Sequence, residues 1–294
     1  MRVAFLGTPE AALPTLRALV REGHDVALVV TRADRRRGRG SELSASPVKS
    51  LARSMGLRVS HQLSDVLEVS VERGVVVAYG ALVPAAVLAQ VPMVNVHFSL
   101  LPRWRGAAPV ERAILAGDRE TGVSVMTMEA GLDTGPVHLE RRVVIAERDA
   151  TALRDELALI GAEALVEVLA SATLLEHARP QEGEVLYAHK LTRADRVLDP
   201  SESVELFVRR CRVGGAELRV RERRLVIERA VASASSVEPG AVRFDDGNVL
   251  AGCADGAVRW ERVRPEGGAS MTAPAWWRGR MRDDRSATWS STGS

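Results

Sequence analysis

Residues 74–102 read GVVVAYGALVPAAVLAQVPMVNVHFSLLP, a stretch without a single Asp, Glu, Lys or Arg. A run of this length could cross a bilayer, which needs about 20 apolar residues. Pro84, Pro92, Asn95, His97 and Ser99 instead divide it into short pieces. Uncharged, apolar and interrupted, it has the pattern of buried parallel strands with a site between them, because strands covered on both faces lose the polar alternation of half-exposed ones. Val75–Ala78 and Met93–Val96 are expected as strands, with Leu82–Leu88 a short helix between them.

The flanking sequence repeats the alternation. Val3–Leu6 is a short apolar run ending at Gly7, Leu13, Leu16 and Val20 follow at helical spacing, and Asp25–Thr31 is rich in β-branched residues. Ser46 before Pro47 reads as a helix start, followed by Val48, Leu51, Ala52 and Met55 on one face. Ala107–Ala116 is expected to be helical and Gly122–Met128 a strand, and Leu153, Leu157, Ile160, Ala164 and Val168 mark a long helix. Such alternation implies an α/β fold, a Rossmann-like, doubly wound parallel sheet whose ligands bind beyond the carboxyl ends of the strands.

The pattern changes near Arg179. Pro180, Gly183 and Pro200 punctuate a polar stretch read as a linker over 179–200, with a short helix after Ser201. Five short strands follow, at Glu217–Val220, Leu225–Ala230, Ala241–Phe244, Val249–Gly252 and Val258–Val263, with turn signals at Asp246-Gly247 and Asp255-Gly256. They suggest a small antiparallel β-barrel. The expected division is a catalytic domain over 1–178, the linker, and a barrel domain over 201–294 whose Ser-, Thr- and Arg-rich end from about Asp283 is frayed.

Composition narrows the class. The chain has 294 residues, 46% hydrophobic and 27% charged, values of a folded globular protein rather than a disordered, collagen-like or coiled-coil one. Of 40 basic residues only Lys49 and Lys190 are lysine, so any anion site must be built from arginine. Cys211 and Cys253 are too few for a disulfide framework or a cysteine-rich metal site, which points to a reducing cytoplasm and no metal. The apolar run in Met1–Leu6 is too short for a signal peptide, and no membrane association is expected.

Chemistry is concentrated in the middle of the first half. Asn95 and His97 are two apart in a strand and so share a face, giving an amide and an imidazole side by side at a strand end. Ser99-Leu100-Leu101-Pro102 and Arg103-Trp104-Arg105-Gly106 follow as the turn leaving that end, and Gly131-Leu132-Asp133-Thr134-Gly135 presents a lone aspartate between glycines. By spacing alone Asp133 reads first as a turn former between glycines, with partner of the imidazole as the alternative. Without an activated Ser or Cys nucleophile beside them, the three suit direct acyl transfer, in which Asn95 and His97 stabilise an oxyanion and Asp133 orients the ring. Phe5-Leu6-Gly7-Thr8-Pro9-Glu10 lacks the three-glycine fingerprint of a nicotinamide enzyme.

NVHFSLLPRWRG at 95–106, GLDTG at 131–135 and FLGTPE at 5–10 closely resemble the 10-formyltetrahydrofolate-dependent formyltransferases. GRG at 38–40, SPVK at 46–49, VVAYG at 76–80 and RWRGAAPV at 103–110 resemble the branch of that family acting on methionyl initiator tRNA. The resemblance covers nearly all of 1–178. It implies a Rossmann-like catalytic domain with an OB-like barrel behind it, formyl transfer from 10-formyltetrahydrofolate, and two partners, folate and methionyl initiator tRNA. A monomer is expected.

Carried over position by position, the resemblance makes Asn95, His97 and Asp133 catalytic. It places folate against Ser99, Leu100, Leu101 and Pro102 and against the loop containing Tyr79, Gly80, Leu82 and Val83. It assigns the acceptor end of the tRNA to the loop bearing Arg35, Arg36, Arg37 and Arg39. Arg36-Arg37 stands where a Pro-Ala pair is common, the segment between His61 and Val75 is shortened, and Cys211-Arg212-Val213-Gly214-Gly215 replaces an Asn-Pro-Trp-Pro-like segment. Two rivals remain: an amino-sugar nucleotide N-formyltransferase, which would share the catalytic residues, and a catalytically silent tRNA- or folate-binding relative.

Overall fold

The computed structural model describes residues 1–36, 43–281 and 284–292. It divides into two compact units, one of Met1–Arg112, Arg119–Ala146 and Ala152–Lys190, the other of Ala113–Asp118, Glu147–Thr151 and Leu191–Ser294.

The first unit is built on a seven-stranded sheet: β1 (Arg2–Gly7), β2 (Asp25–Val30), β3 (Val59–Ser60), β4 (Arg73–Val77), β5 (Met93–His97), β6 (Glu120–Thr127) and β7 (Val137–Val144). Their spatial order is β7-β6-β5-β4-β1-β2-β3. The strands from β5 to β3 run parallel, whereas β6 and β7 join antiparallel. The reversal from β1-β2 to β1-β4 makes the switch characteristic of doubly wound sheets. All five residues of β5 are buried, as are Val3–Gly7 of β1. The uncharged 74–102 stretch thus supplies two central strands and the short helix Ala85–Leu88.

Local signals account for much of this. Ser46 caps the helix Pro47–Ser54, its hydroxyl accepting from the Lys49 amide at 3.0 Å, with Pro47 at the first turn where its missing N–H costs nothing. Gly161 in the helix Ala150–Ala170 faces β5, where a Cβ would fall 2.6 Å from Val96 Cγ1. Its lack of a side chain lets the helix press on the strand that carries Asn95 and His97.

The second unit closes six antiparallel strands into a barrel: β8 (Ala216–Val220), β9 (Arg223–Ser233), β10 (Ala241–Asp245), β11 (Asn248–Cys253), β12 (Gly256–Pro265) and β13 (Ser286–Ser290). The ring runs β9-β8-β13-β10-β11-β12 and closes where β12 pairs with β9. Two features differ from the sequence expectation. The end expected to be frayed provides β13, which pairs with both β8 and β10 and buries Trp289 in the barrel core. One buried indole and two ladders order a segment whose Ser and Thr content reads as a tail. β7, with Glu140, Arg141 and Arg142 in its middle, is a sheet edge and so carries charge that masks its strand pattern.

Candidate active site

β5 delivers Asn95 and His97 to one face near its carboxyl end, both buried. The chain then leaves the sheet, and the hydroxyl of fully buried Ser124 replaces the missing backbone ladder. It donates to the Ser99 carbonyl at 2.8 Å and accepts from the Leu101 amide at 3.1 Å. The Ser99 hydroxyl in turn donates to the Arg103 carbonyl at 2.6 Å. These bonds bend residues 99–106 back over β5.

The bend brings the Trp104 carbonyl to 2.8 Å from His97 Nε2. On the ring's other side, an Asp133 carboxylate oxygen stands 3.6 Å from Nδ1. The same oxygen accepts from the Gly106 amide at 2.8 Å. A neutral imidazole has a single N–H, and here each nitrogen faces an acceptor, so the ring can direct a proton to either edge. Only 7% of the His97 side chain and 15% of that of Asp133 are exposed, which strengthens their interaction relative to water. Asp133 and Trp104 have φ of 51° and 65°, in the left-handed region that costs non-glycine residues energy, a feature that clusters at working sites. Asp133 is therefore both the turn former and the partner of the imidazole.

The other expected residues divide clearly. Tyr79 and Val83 are buried at the end of β4, with the Thr8 hydroxyl donating to the Tyr79 carbonyl at 2.9 Å. Burial pushes the Tyr79 phenol up, and nearby Arg32 opposes that shift. Gly80 takes a φ of 80°, and Leu82 stands out from this loop 79% exposed. Leu101 is buried with Met126 and Val137, and Ser99 and Pro102 are also buried, while Leu100 lies half-buried. Arg35 and Arg36 pair through their backbones with Ser44 and Leu43. Arg37 and Arg39 lie outside the described residues. At the foot of this segment the buried Lys49 ammonium bridges Asp34 at 2.5 Å and His61 Nε2 at 3.2 Å, and the ammonium holds the Asp34 carboxyl below its usual range.

Two further residues, Ser124 and Gln181, carry no signal in the sequence. Gln181, in the expected linker, donates to the carbonyls of Asp133 and Gly135, both at 2.8 Å. The stretch around it is laced to the first unit: Arg179 exchanges two backbone bonds with Val137, and Tyr187–Ala188 pairs in parallel with Arg105–Gly106.

Two family models match the chain, formyl transferase over residues 1–169 and the formyl transferase C-terminal domain over 190–281. A methionyl-tRNA formyltransferase of Clavibacter sepedonicus is 44% identical over 95% of this chain and 97% of its own length. Among solved structures, an N-formyltransferase of Helicobacter canadensis with folinic acid and dTDP-3-aminofucose superposes with a TM-score of 0.68 at 15% identity, covering 88% of this chain and 98% of that one. A methionyl-tRNA formyltransferase of Clostridium thermocellum superposes with a TM-score of 0.55 at 14% identity, over 81% and 96%. Sugar- and tRNA-directed enzymes thus share this fold, and fold alone does not choose between them. Sequence identity along nearly the whole chain gives the family: the chain belongs to the methionyl-tRNA formyltransferase family and is a formyl-transferring enzyme.

Proposed function

We propose that this enzyme moves the formyl group of 10-formyltetrahydrofolate to the α-amino group of methionyl initiator tRNA, with the chemistry carried by residues 1–178. The observation that carries the reading is the grouping of Asn95, His97 and Asp133 at the carboxyl end of β5, with Asp133 aimed at the His97 ring. An α-amino group titrates near pH 7.7–8.0, so a useful share of free amine exists at neutral pH and the nucleophile needs little activation.

The amine attacks the formyl carbon, and the carbonyl electrons pass to oxygen to form a tetrahedral intermediate. The Asn95 amide and the His97 ring donate to that oxyanion, a contribution of about 2.7–4 kcal/mol per well-placed donor in other enzymes. His97 Nε2, turned to the Trp104 carbonyl here, exchanges that acceptor for the substrate oxygen during turnover. Collapse breaks the bond from carbon to N10, and the proton lost by the amine reaches N10 through His97, held by Asp133. The pterin lies against Tyr79, Gly80, Leu82 and Val83 and the backbone of Ser99–Pro102, an apolar slot with main-chain donors and acceptors.

The segment with Arg35, Arg36, Arg37 and Arg39 meets the acceptor end of the tRNA, and arginines of the barrel add attraction for its backbone. The test supplies the intact chain with 10-formyltetrahydrofolate and either methionyl-tRNA or amino-sugar nucleotides. Formylation of the tRNA alone is expected. Product only with the sugar would replace the reading, and no product with either would leave a binding protein.

A further inference from the structure

From its contacts we infer that Gln181 is a positioning residue for catalysis, acting through Asp133; the inference rests on the formyl-transfer reading above. A glutamine amide offers two donors and a carbonyl with two acceptor sites, and all four are used here. Nε2 donates to the Asp133 carbonyl and to the Gly135 carbonyl, both at 2.8 Å, so the side chain brackets Thr134 and holds the aspartate's turn from both sides. Oε1 accepts from Arg105 Nε at 3.0 Å and from its terminal nitrogen at 2.7 Å.

The residue after Arg105 is Gly106, whose amide donates to the Asp133 carboxylate at 2.8 Å. A ring is thereby closed. Gln181 grips the Asp133 main chain on one side and Arg105 on the other, and the Arg105–Gly106 segment grips the Asp133 side chain. The ring matters because Asp133 sits at a φ of 51°, which its own backbone does not favour, and because its carboxylate must stay in register with His97 Nδ1, 3.6 Å away. The pairing of Tyr187–Ala188 with Arg105–Gly106 secures the same segment beyond Gln181. The stretch expected as a linker therefore contributes to the site, and the working unit extends past residue 178.

Two substitutions in the full chain separate the possibilities. Gln181→Met keeps the length and removes all four bonds. Gln181→Glu keeps an acceptor for Arg105 and removes both donors to the Asp133 turn. Each is expected to lower kcat about tenfold, the scale of a modest misplacement of a catalytic group, with KM for formyl-folate and for methionyl-tRNA within about twofold. Circular dichroism and thermal midpoints establish that the variants are folded.

The decisive readout is coupling. In an Asp133→Asn background, followed by single turnover, Gln181→Met should cause no further loss, because the group it positions has already been disabled. The same tenfold loss in both backgrounds would overturn the inference. So would full activity of Gln181→Glu, which would leave only the Arg105 contact in play, or a rise in KM at constant kcat. Absence of turnover by the unsubstituted chain would instead overturn the reading on which the inference rests.

Discussion

One oxygen of the Asp133 carboxylate accepts from the Gly106 amide at 2.8 Å while standing 3.6 Å from His97 Nδ1, so the turn after the SLLP segment and the imidazole share one anchor. The two contacts can be separated experimentally. Asp133→Asn retains an oxygen for the Gly106 amide and loses the charge beside the ring. His97→Ala removes the ring and leaves the anchor. Both should lower kcat by about 10²- to 10³-fold, the loss associated with one oxyanion donor. Neither should change the Kd for methionyl-tRNA measured by filter binding. A parallel fall in affinity and turnover would place these residues in RNA binding.

The donor side has its own marker in Leu82, exposed to 79% on the loop that begins at Tyr79. A leucine that is bare in the free protein supports no core, so Leu82→Asp should leave the thermal midpoint unchanged. Against a pterin it would cost apolar contact and bring a charge to the slot, and KM for 10-formyltetrahydrofolate should rise about tenfold on the scale of one buried leucine. An unchanged KM would move the donor away from residues 79–83.

The alternation rule was enough to bring Asn95 and His97 together, because a strand's period of two is written directly in the sequence. Asp133 was visible only through its motif, since nothing local reveals that a glycine-flanked turn 36 positions beyond His97 faces the ring. Gln181 could not be read at all: its donors go to main-chain carbonyls of residues 133 and 135, which carry no side-chain signature, and its acceptor meets Arg105, 76 positions away. β13 was hidden for a related reason. Its order comes from pairing with β8 and β10 and from Trp289, whereas its own composition is that of a tail.

In the barrel, Glu217 is a buried carboxylate on β8 that holds three segments. It accepts from Arg193 at 3.0 Å, from Arg224 on β9 at 2.6 Å and from the Thr292 hydroxyl at 3.3 Å. Burial alone would push its carboxyl up, but the bonds from Arg193 and Arg224 outweigh that and leave it lowered. A lowered folded-state value means that the unfolded chain binds the proton more readily. The stabilisation is therefore present above the usual carboxylate range and fades as pH falls through the folded value. Glu217→Gln should destabilise the protein by about 1 kcal/mol near pH 7, a small figure because both arginine side chains are about half exposed or more and so screened by water. The difference from the unsubstituted chain, followed by urea denaturation, should shrink toward pH 3. A constant difference across that range would mean that the carboxylate charge has no part in it.

The last expectation concerns which arginines of the barrel meet RNA. Val220, Arg221, Arg223, Arg224, Trp276 and Arg280 help to line a cavity of about 390 Å³. Arg221 is paired with Asp284 and Arg224 with Glu217, which offsets their charge. Arg223 and Arg280 are exposed, and neither has an ion-pair partner among the described residues, so theirs is the charge open to a phosphate. Each phosphate neutralised by the protein releases condensed counterion and adds about one to the slope of log affinity against log salt. Replacing both Arg223 and Arg280 with Ala should therefore flatten that slope by nearly two and weaken tRNA binding at low salt. kcat at saturating tRNA should hold, because neither residue belongs to the unit that carries His97 and Asp133. Arg39→Ala provides the contrast: on the proposal that this arginine meets the acceptor end, its loss should lower formylation as well as affinity. If the double variant kept the full salt slope, Arg223 and Arg280 would have no contact with the tRNA backbone.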